Sequence, residues 1–290
     1  MYKLLAKHKN YSLHLMVVVL GLTGVFGKLI SLSAIHLVWY RMGIAFLSLA
    51  IFLAFKKQLF SVNKKDFFGI LGVGTLVTFH WLCFFESIKV STVSVAVVCL
   101  ATSSLFSALI EPFFFKRKLL GYEVVMGIIV LGALGFVMGT ETQYFWGYFY
   151  GIMAAFLGTL FTLFNAKYIN KVGAAKITMI EMLSGLLIIS GILVFQEDYS
   201  VFTSTISTTD FSYLIILGTL CTALVFVWMT EIMRHITPYS LIMAVNLEPI
   251  YSIILALLIF GDTELMSTSF YIGSCVIIGV VFLEGYLKNK

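Results

Sequence analysis

The feature that most constrains this chain is a succession of uninterrupted apolar runs, each about 20 residues long and separated by short polar breaks. A helix rises about 1.5 Å per residue, so a run of that length crosses the hydrocarbon core of a bilayer. Ten such runs can be read, near residues 13–32, 37–55, 67–86, 91–114, 121–139, 144–166, 176–195, 211–233, 237–260 and 267–286. Charged residues make up only 11 % of the sequence, against about a quarter in soluble domains, which is too few to cover a wetted surface. The aromatic share of 16 % and a total of only 3 prolines exclude disorder. Transmembrane barrels alternate apolar and polar residues, whereas these runs are continuous. The expected fold is an all-α membrane protein with ten transmembrane helices and nothing left over for a soluble domain.

Charge distribution orients the runs. With the N-terminus placed in the cytoplasm, 16 of the 19 Lys and Arg residues fall on the cytoplasmic side, Lys89 alone falls outside, and Lys28 and Arg41 lie within helices. Both termini are then cytoplasmic, as in a protein of the bacterial inner (plasma) membrane. The outer loops are acidic instead, with Glu141, Glu197, Asp198, Asp210, Asp262 and Glu264. The net charge of +5 is thus a topology signal, and no nucleic-acid partner is expected. Lys3, Lys7 and Lys9 before an apolar run imitate a signal peptide, but the run from Leu13 to Ile30 exceeds an h-region of about 7–15 residues and is read as the first helix. Lys28 is expected to snorkel to the outer surface.

An internal repeat is legible at an offset of 145 residues. It sets Glu86 on Glu231, Lys89 on Arg234, Thr92 on Thr237, Phe106 on Tyr251 and Phe115 on Phe260. The two repeats, 1–140 and 141–290, hold five helices each. An odd number obliges them to sit upside down relative to each other, the inverted arrangement of secondary transporters with sites near the midplane.

Polar residues inside the runs mark candidate sites. Glu248, within Asn246-Leu247-Glu248-Pro249, falls near the bilayer centre, where a carboxylate costs about 2.5–3.5 kcal/mol and needs a cavity or a partner. Pro249 removes a backbone donor and bends the helix there. Two readings of Glu248 stand at this stage, a substrate or proton site and a protonated structural acid. The repeat sets Thr102, Ser103 and Ser104 at the corresponding depth, as cavity hydroxyls or as bonds back to their own helix. His80 can relay protons, and Trp81 and Tyr251 can supply apolar wall. Arg41 is expected to pair with Glu86, and Glu181 with Arg234, as structural or gate-like ion pairs. Gly21, Gly24 and Gly27 and the row Gly147, Gly151, Ala155, Gly158 are expected to bring the first and sixth helices together across the pseudo-twofold axis.

Several chemistries have no footing. Cys83, Cys99, Cys221 and Cys275 lack metal-site spacing, no GxxxxGK[ST] serves ATP, and neither HExxH nor GxSxG is present. No cofactor, no metal and no enzymatic activity are expected.

The segments His80-Trp81 through Ser91-Thr92-Val93-Ser94, Ile110-Glu111-Pro112 through Lys118, Glu181 through Gly185, and Asn246 through Tyr251 followed by Phe260-Gly261-Asp262 resemble the EamA-type family of the drug/metabolite transporter superfamily. The resemblance spans essentially the whole chain. It implies a central cavity lined by helices 1–4 and 6–9, helices 5 and 10 as outer buttresses, and alternating access, commonly for export of amino acids, related metabolites or drugs. Ser104 stands where family repeats often carry a proline, so only the ninth helix is expected to break at mid-depth. The family's Gly-Glu after the fourth helix is Lys116-Arg117 in the first repeat and Gly261-Asp262 in the second.

The resulting expectation is a secondary active exporter of a small metabolite such as an amino acid, by alternating access and with protons as coupling ion. The partners are that small molecule and the lipid bilayer, and the protein acts as a monomer or homodimer. An exchange or facilitated carrier without proton coupling, and a lipid-acting membrane protein, stand as alternatives.

Overall fold

The structure is a computed structural model that describes residues 9–59, 62–203 and 205–288. Lys3, Lys7 and Lys290 of the charge count lie outside them. Among the described residues every regular element is helical. In chain order the longer ones are α1 (Lys9–Leu29), α2 (Ala34–Phe55), α3 (Lys64–Val90), α4a (Val93–Leu100), α4b (Ser103–Phe115), α5 (Gly121–Thr140), α6 (Phe145–Val172) and α7 (Ala174–Phe195). There follow α8a (Thr208–Gly218), α8b (Val225–Ile232), α9a (Pro238–Val245), α9b (Glu248–Phe260) and α10 (Thr268–Lys288). Among the described residues eight continuous or broken helices, those from α2 to α9, are long and apolar enough to cross a membrane, and shorter apolar stretches lie at Leu13–Leu29 and Thr268–Leu283. Large side chains such as Phe55, Phe113, Phe195 and Leu258 stand exposed around the bundle. In water such a surface would aggregate; in lipid it is the solvent-facing side.

Two helices are broken, and at the same register. α4a and α4b span Val93–Leu100 and Ser103–Phe115, while α9a and α9b span Pro238–Val245 and Glu248–Phe260, an offset of 145 residues at every boundary. Their N-caps obey the same offset, since Thr92 accepts from the Val95 amide and Thr237 from the Ser240 amide. The expectation that only the ninth helix breaks is therefore corrected. In the fourth, whose Pro112 lies well past the break, hydroxyls stand at the break itself: Thr102 Oγ1 donates to the Cys99 carbonyl at 2.7 Å and Ser104 Oγ to the Ala101 carbonyl at 2.9 Å. Those carbonyls leave the α-helical ladder, and the backbone turns tighten to i→i−3 at Ala101 and Thr102.

The glycine rows also pack differently from expectation. A Cβ on Gly24 would meet Val93 Cγ1 at 2.8 Å, and one on Gly21 would meet Tyr251 Cβ at 3.2 Å, so α1 lies on α4a and α9b. On α6, Gly151 faces Cys99 and Gly158 faces His80, so that helix lies on α4a and α3. The first and sixth helices thus each use small residues to approach a broken helix of the opposite half. α5 and α10 pack on each other and contribute nothing to the central cavity, in the buttress position that the resemblance implies.

Candidate functional site

A cavity of about 80 Å³ lies within the bundle, lined from α1, α2, α3, α4, α6, α8b and α9. α7 supplies none of its lining, contrary to the expected set. The walls are apolar and aromatic, with Trp81, Phe84, Phe161, Phe226 and Met229. Into them project Arg41, His80, Ser103, Thr159, Thr162, Asn246 and Glu248. An apolar pocket with a few converging polar groups is the usual form of a small-molecule site.

Arg41 is 1 % exposed, and its guanidinium lies over the Trp81 ring at 3.9 Å and near that of Phe85 at 5.3 Å. Its Nε donates to Thr222 Oγ1 at 2.6 Å. Thr222 sits in a π-helical turn, Thr219–Leu224, between α8a and α8b, and its hydroxyl also reaches the Leu217 carbonyl five residues back. This bulge turns a threonine toward the arginine, a common use of such turns at functional sites. The expected Arg41–Glu86 pair does not form: Arg41 points inward to Trp81 and Thr222, while Glu86 is half-buried beside Lys89. Arg41 Nη1 is left buried without a hydrogen-bond acceptor.

Glu248 opens α9b, is 4 % exposed and lines the same cavity. It and Arg41 feel one another's charge without touching as an ion pair. The cavity therefore carries one buried cation and one buried acid held apart, each with hydrogen-bonding capacity to spare.

The break points of the two kinked helices clasp each other beside this pair. Ser103 Oγ donates to Asn246 Oδ1 at 2.8 Å, and Asn246 Nδ2 reaches the Ala101 carbonyl at 3.4 Å. His80 Nδ1 lies 2.7 Å from the Ala154 carbonyl. A carbonyl only accepts, so Nδ1 carries the hydrogen and Nε2 is left as the acceptor. Gly158 permits this approach, because a Cβ there would stand 3.1 Å from Nδ1.

Among the sequence candidates, Glu248, Asn246, Ser103, His80, Trp81 and Arg41 thus line one cavity. Thr102 is buried and bonded to its own helix, and Tyr251 turns its hydroxyl toward His14 Nδ1 at 3.3 Å, so neither lines it. Glu181 and Arg234 do not pair either. Arg234 Nε bonds Glu231 at 3.0 Å, one turn away on its own segment, while Glu181 is fully buried elsewhere. Thr159, Thr162 and Thr222 were not singled out from the sequence, since threonine mid-helix gives no signal without knowledge of its facing.

A bundle whose two halves each send a broken helix to one internal cavity has the build of a multi-pass membrane transporter. The chain belongs to the EamA-like transporter family, whose model matches residues 11–139 and again 145–284. No curated protein matches the sequence. A solved structure described only as the crystal structure of a protein has the same fold, with a TM-score of 0.70 over 97 % of each chain and 13 % identity.

Proposed function

We propose that this protein is a secondary active transporter that exports a small zwitterionic metabolite, such as an amino acid, across the bacterial inner membrane by alternating access. The observation that carries this reading is the separated pair Arg41 and Glu248 in one apolar cavity. A substrate carboxylate would meet the free Arg41 Nη1, its ammonium would meet Glu248, and its side chain would lie on Trp81 and Phe226. With α1 and α10 included the spans number ten, five in each inverted half, and the Lys and Arg bias supports cytoplasmic termini.

Proton coupling follows from competition. A carboxylate cannot hold a proton and an ammonium at once, so a proton arriving at Glu248 from outside expels substrate, and substrate loading from inside expels the proton. The test is flux of an amino-acid and metabolite pool in proteoliposomes, with and without an imposed pH gradient, for wild type and Glu248→Gln. Gradient-driven flux that is lost in the variant is the expected result. Flux whose gradient dependence survives in Glu248→Gln would take the coupling role away from Glu248, and wild-type flux indifferent to the gradient would leave an uncoupled or exchange carrier. Folded protein that moves no solute would turn the reading toward a lipid-acting protein.

A further inference from the structure

Outside the cavity, one buried acid has no use in the scheme above. Glu181, on α7, is 0 % exposed, and neither carboxyl oxygen receives a hydrogen bond of normal geometry. The polar side chain that reaches it is Asn165 of α6, whose Oδ1 likewise lacks a partner. Thr178 Oγ1, one turn earlier on α7, is unpartnered as well. α3 seals the place from water: a Cβ on Gly74 would stand 2.8 Å from the Glu181 Cα and carbonyl oxygen, and Ser184 Oγ pins α7 to the Leu71 carbonyl at 2.7 Å.

Several charged groups on the packed helices are engaged elsewhere. From α2, Arg41 is held on Trp81 and Thr222; from α3, His80 is bonded to the Ala154 carbonyl. From α6, Lys167 lies over the Phe114 ring at 4.1 Å; from α8b, Glu231 pairs with Arg234. Lys176, on α7 itself, faces a separate pocket beside Lys56 and Gly173. A carboxylate left ionised and bare in such surroundings is too costly to persist, so the group must hold a cation of some kind. A metal ion needs a shell of several oxygens, and the described residues contain no cluster of three acid, histidine or cysteine ligands. A proton needs a single oxygen.

Asn165 is also the end of a row. Thr159 and Thr162 line the cavity, and Asn165 follows at the same three-residue spacing on α6, one turn nearer the helix end that carries Lys167 and Lys171. Residues spaced by three are neighbours on a helix face, so two hydroxyls, which donate to the Ala155 and Gly158 carbonyls of their own helix, and an amide form a polar row from the cavity toward the acid. We propose that Glu181, with Asn165, is a proton-holding site separate from the central cavity and joined to it by the row Thr159–Thr162–Asn165. It would exchange protons with the cavity along that row, and it stands whether or not Glu248 is the coupling acid.

Infrared spectroscopy of the full-length protein in lipid at neutral pH tests this through the carbonyl stretch of protonated carboxylic acids. The expected result is a band that disappears in Glu181→Gln, moves in Glu181→Asp and in Asn165→Leu, and survives in Glu248→Gln. Glu181→Asp keeps an acid in place and covers the case in which the glutamine variant does not fold. A spectrum unchanged by every substitution at Glu181 would overturn the proposal. So would thermal stabilisation by sodium chloride, but not choline chloride, that vanishes in Glu181→Gln, since a sodium ion would then occupy the site. The readout is independent of flux, so failure of the transport reading and failure of this one are distinguishable.

Discussion

Lys28 Nζ lies 2.8 Å from Glu264 Oε1, and the same buried carboxylate caps the start of α4a. Glu264 accepts from the Val93 amide at 3.1 Å, the Ser94 amide at 3.2 Å and Ser94 Oγ at 3.0 Å. One acid from the segment before α10 thus ties the end of α1 to the beginning of α4, using both an ammonium and a helix N-terminus. Nearby, Asp210 bonds the Ser31 amide and hydroxyl, and Lys89 donates to the Ile30 carbonyl at 2.5 Å. These contacts tie the end of α1 to α3, α4a and α8a.

Removing Glu264 leaves two amides and an ammonium without their acceptor. Glu264→Ala should destabilise the protein by about 2–4 kcal/mol, and Lys28→Met by less, because Lys28 keeps partial access to solvent. Thermal unfolding in detergent reads both. If the contact also closes the outer end, cysteines placed at Ser31 or Thr263 should label faster from outside in Glu264→Ala than in the parent. Equal stability of the alanine variant would show that water replaces the carboxylate freely.

The clasp between broken helices gives a second expectation. Asn246→Ala deletes the acceptor of Ser103 and the contact with the Ala101 carbonyl, a loss of about 1–2 kcal/mol for buried neutral bonds. Ser103→Ala should cost about as much, and the double variant less than the sum of the two, because both remove one bond. Strict additivity in the unfolding free energies would mean that the bond contributes nothing.

How much of this was legible beforehand depends on what each feature needs. Helix positions, the 145-residue offset and the polar residues at mid-depth are properties of the chain in order, and they reappear in the boundaries of α4 and α9. The break in α4 was missed because a search for proline overlooks hydroxyls that capture carbonyls, as Thr102 and Ser104 do. Both expected ion pairs failed for another reason. Depth can be counted along a sequence, but facing cannot, and Arg41 at the right depth for Glu86 turns instead to Trp81 and Thr222. Thr222 itself depends on a π-helical turn that shifts its facing, and Glu264 looked like one more acid in an outer loop.

Glu141 offers a pH test outside the spanning segments. Burial pushes its carboxyl up, but the Ser267 amide at 2.8 Å, the Ser267 hydroxyl and the Gln143 amide at 2.6 Å outweigh it and hold the group below the ordinary carboxylate value of 4.5. A lowered value in the folded state means stability present above the unfolded value and lost as pH falls through the folded one. The melting temperature of Glu141→Gln should therefore lie below that of the parent at pH 7, and the gap should close as the pH drops below about 4.5. A gap that stays constant down to pH 3 would show that charge on Glu141 is irrelevant to its contacts with Ser267.

Arg41 separates charge from geometry. Lysine keeps the positive charge at this position but cannot both bond Thr222 and present a second donor to the cavity while lying flat on Trp81. Hydrogen bonds to charged groups contribute about 1.5–3 kcal/mol, so binding of a zwitterionic amino acid should weaken about 10- to 100-fold in Arg41→Lys. A decarboxylated amine of the same side chain never meets Arg41 in the proposed pose, and its affinity should change little. Calorimetric titration of both ligands against parent and variant reads the difference directly. Equal weakening for the two would place the carboxylate elsewhere and make Arg41 a packing residue between α2, α3 and α8.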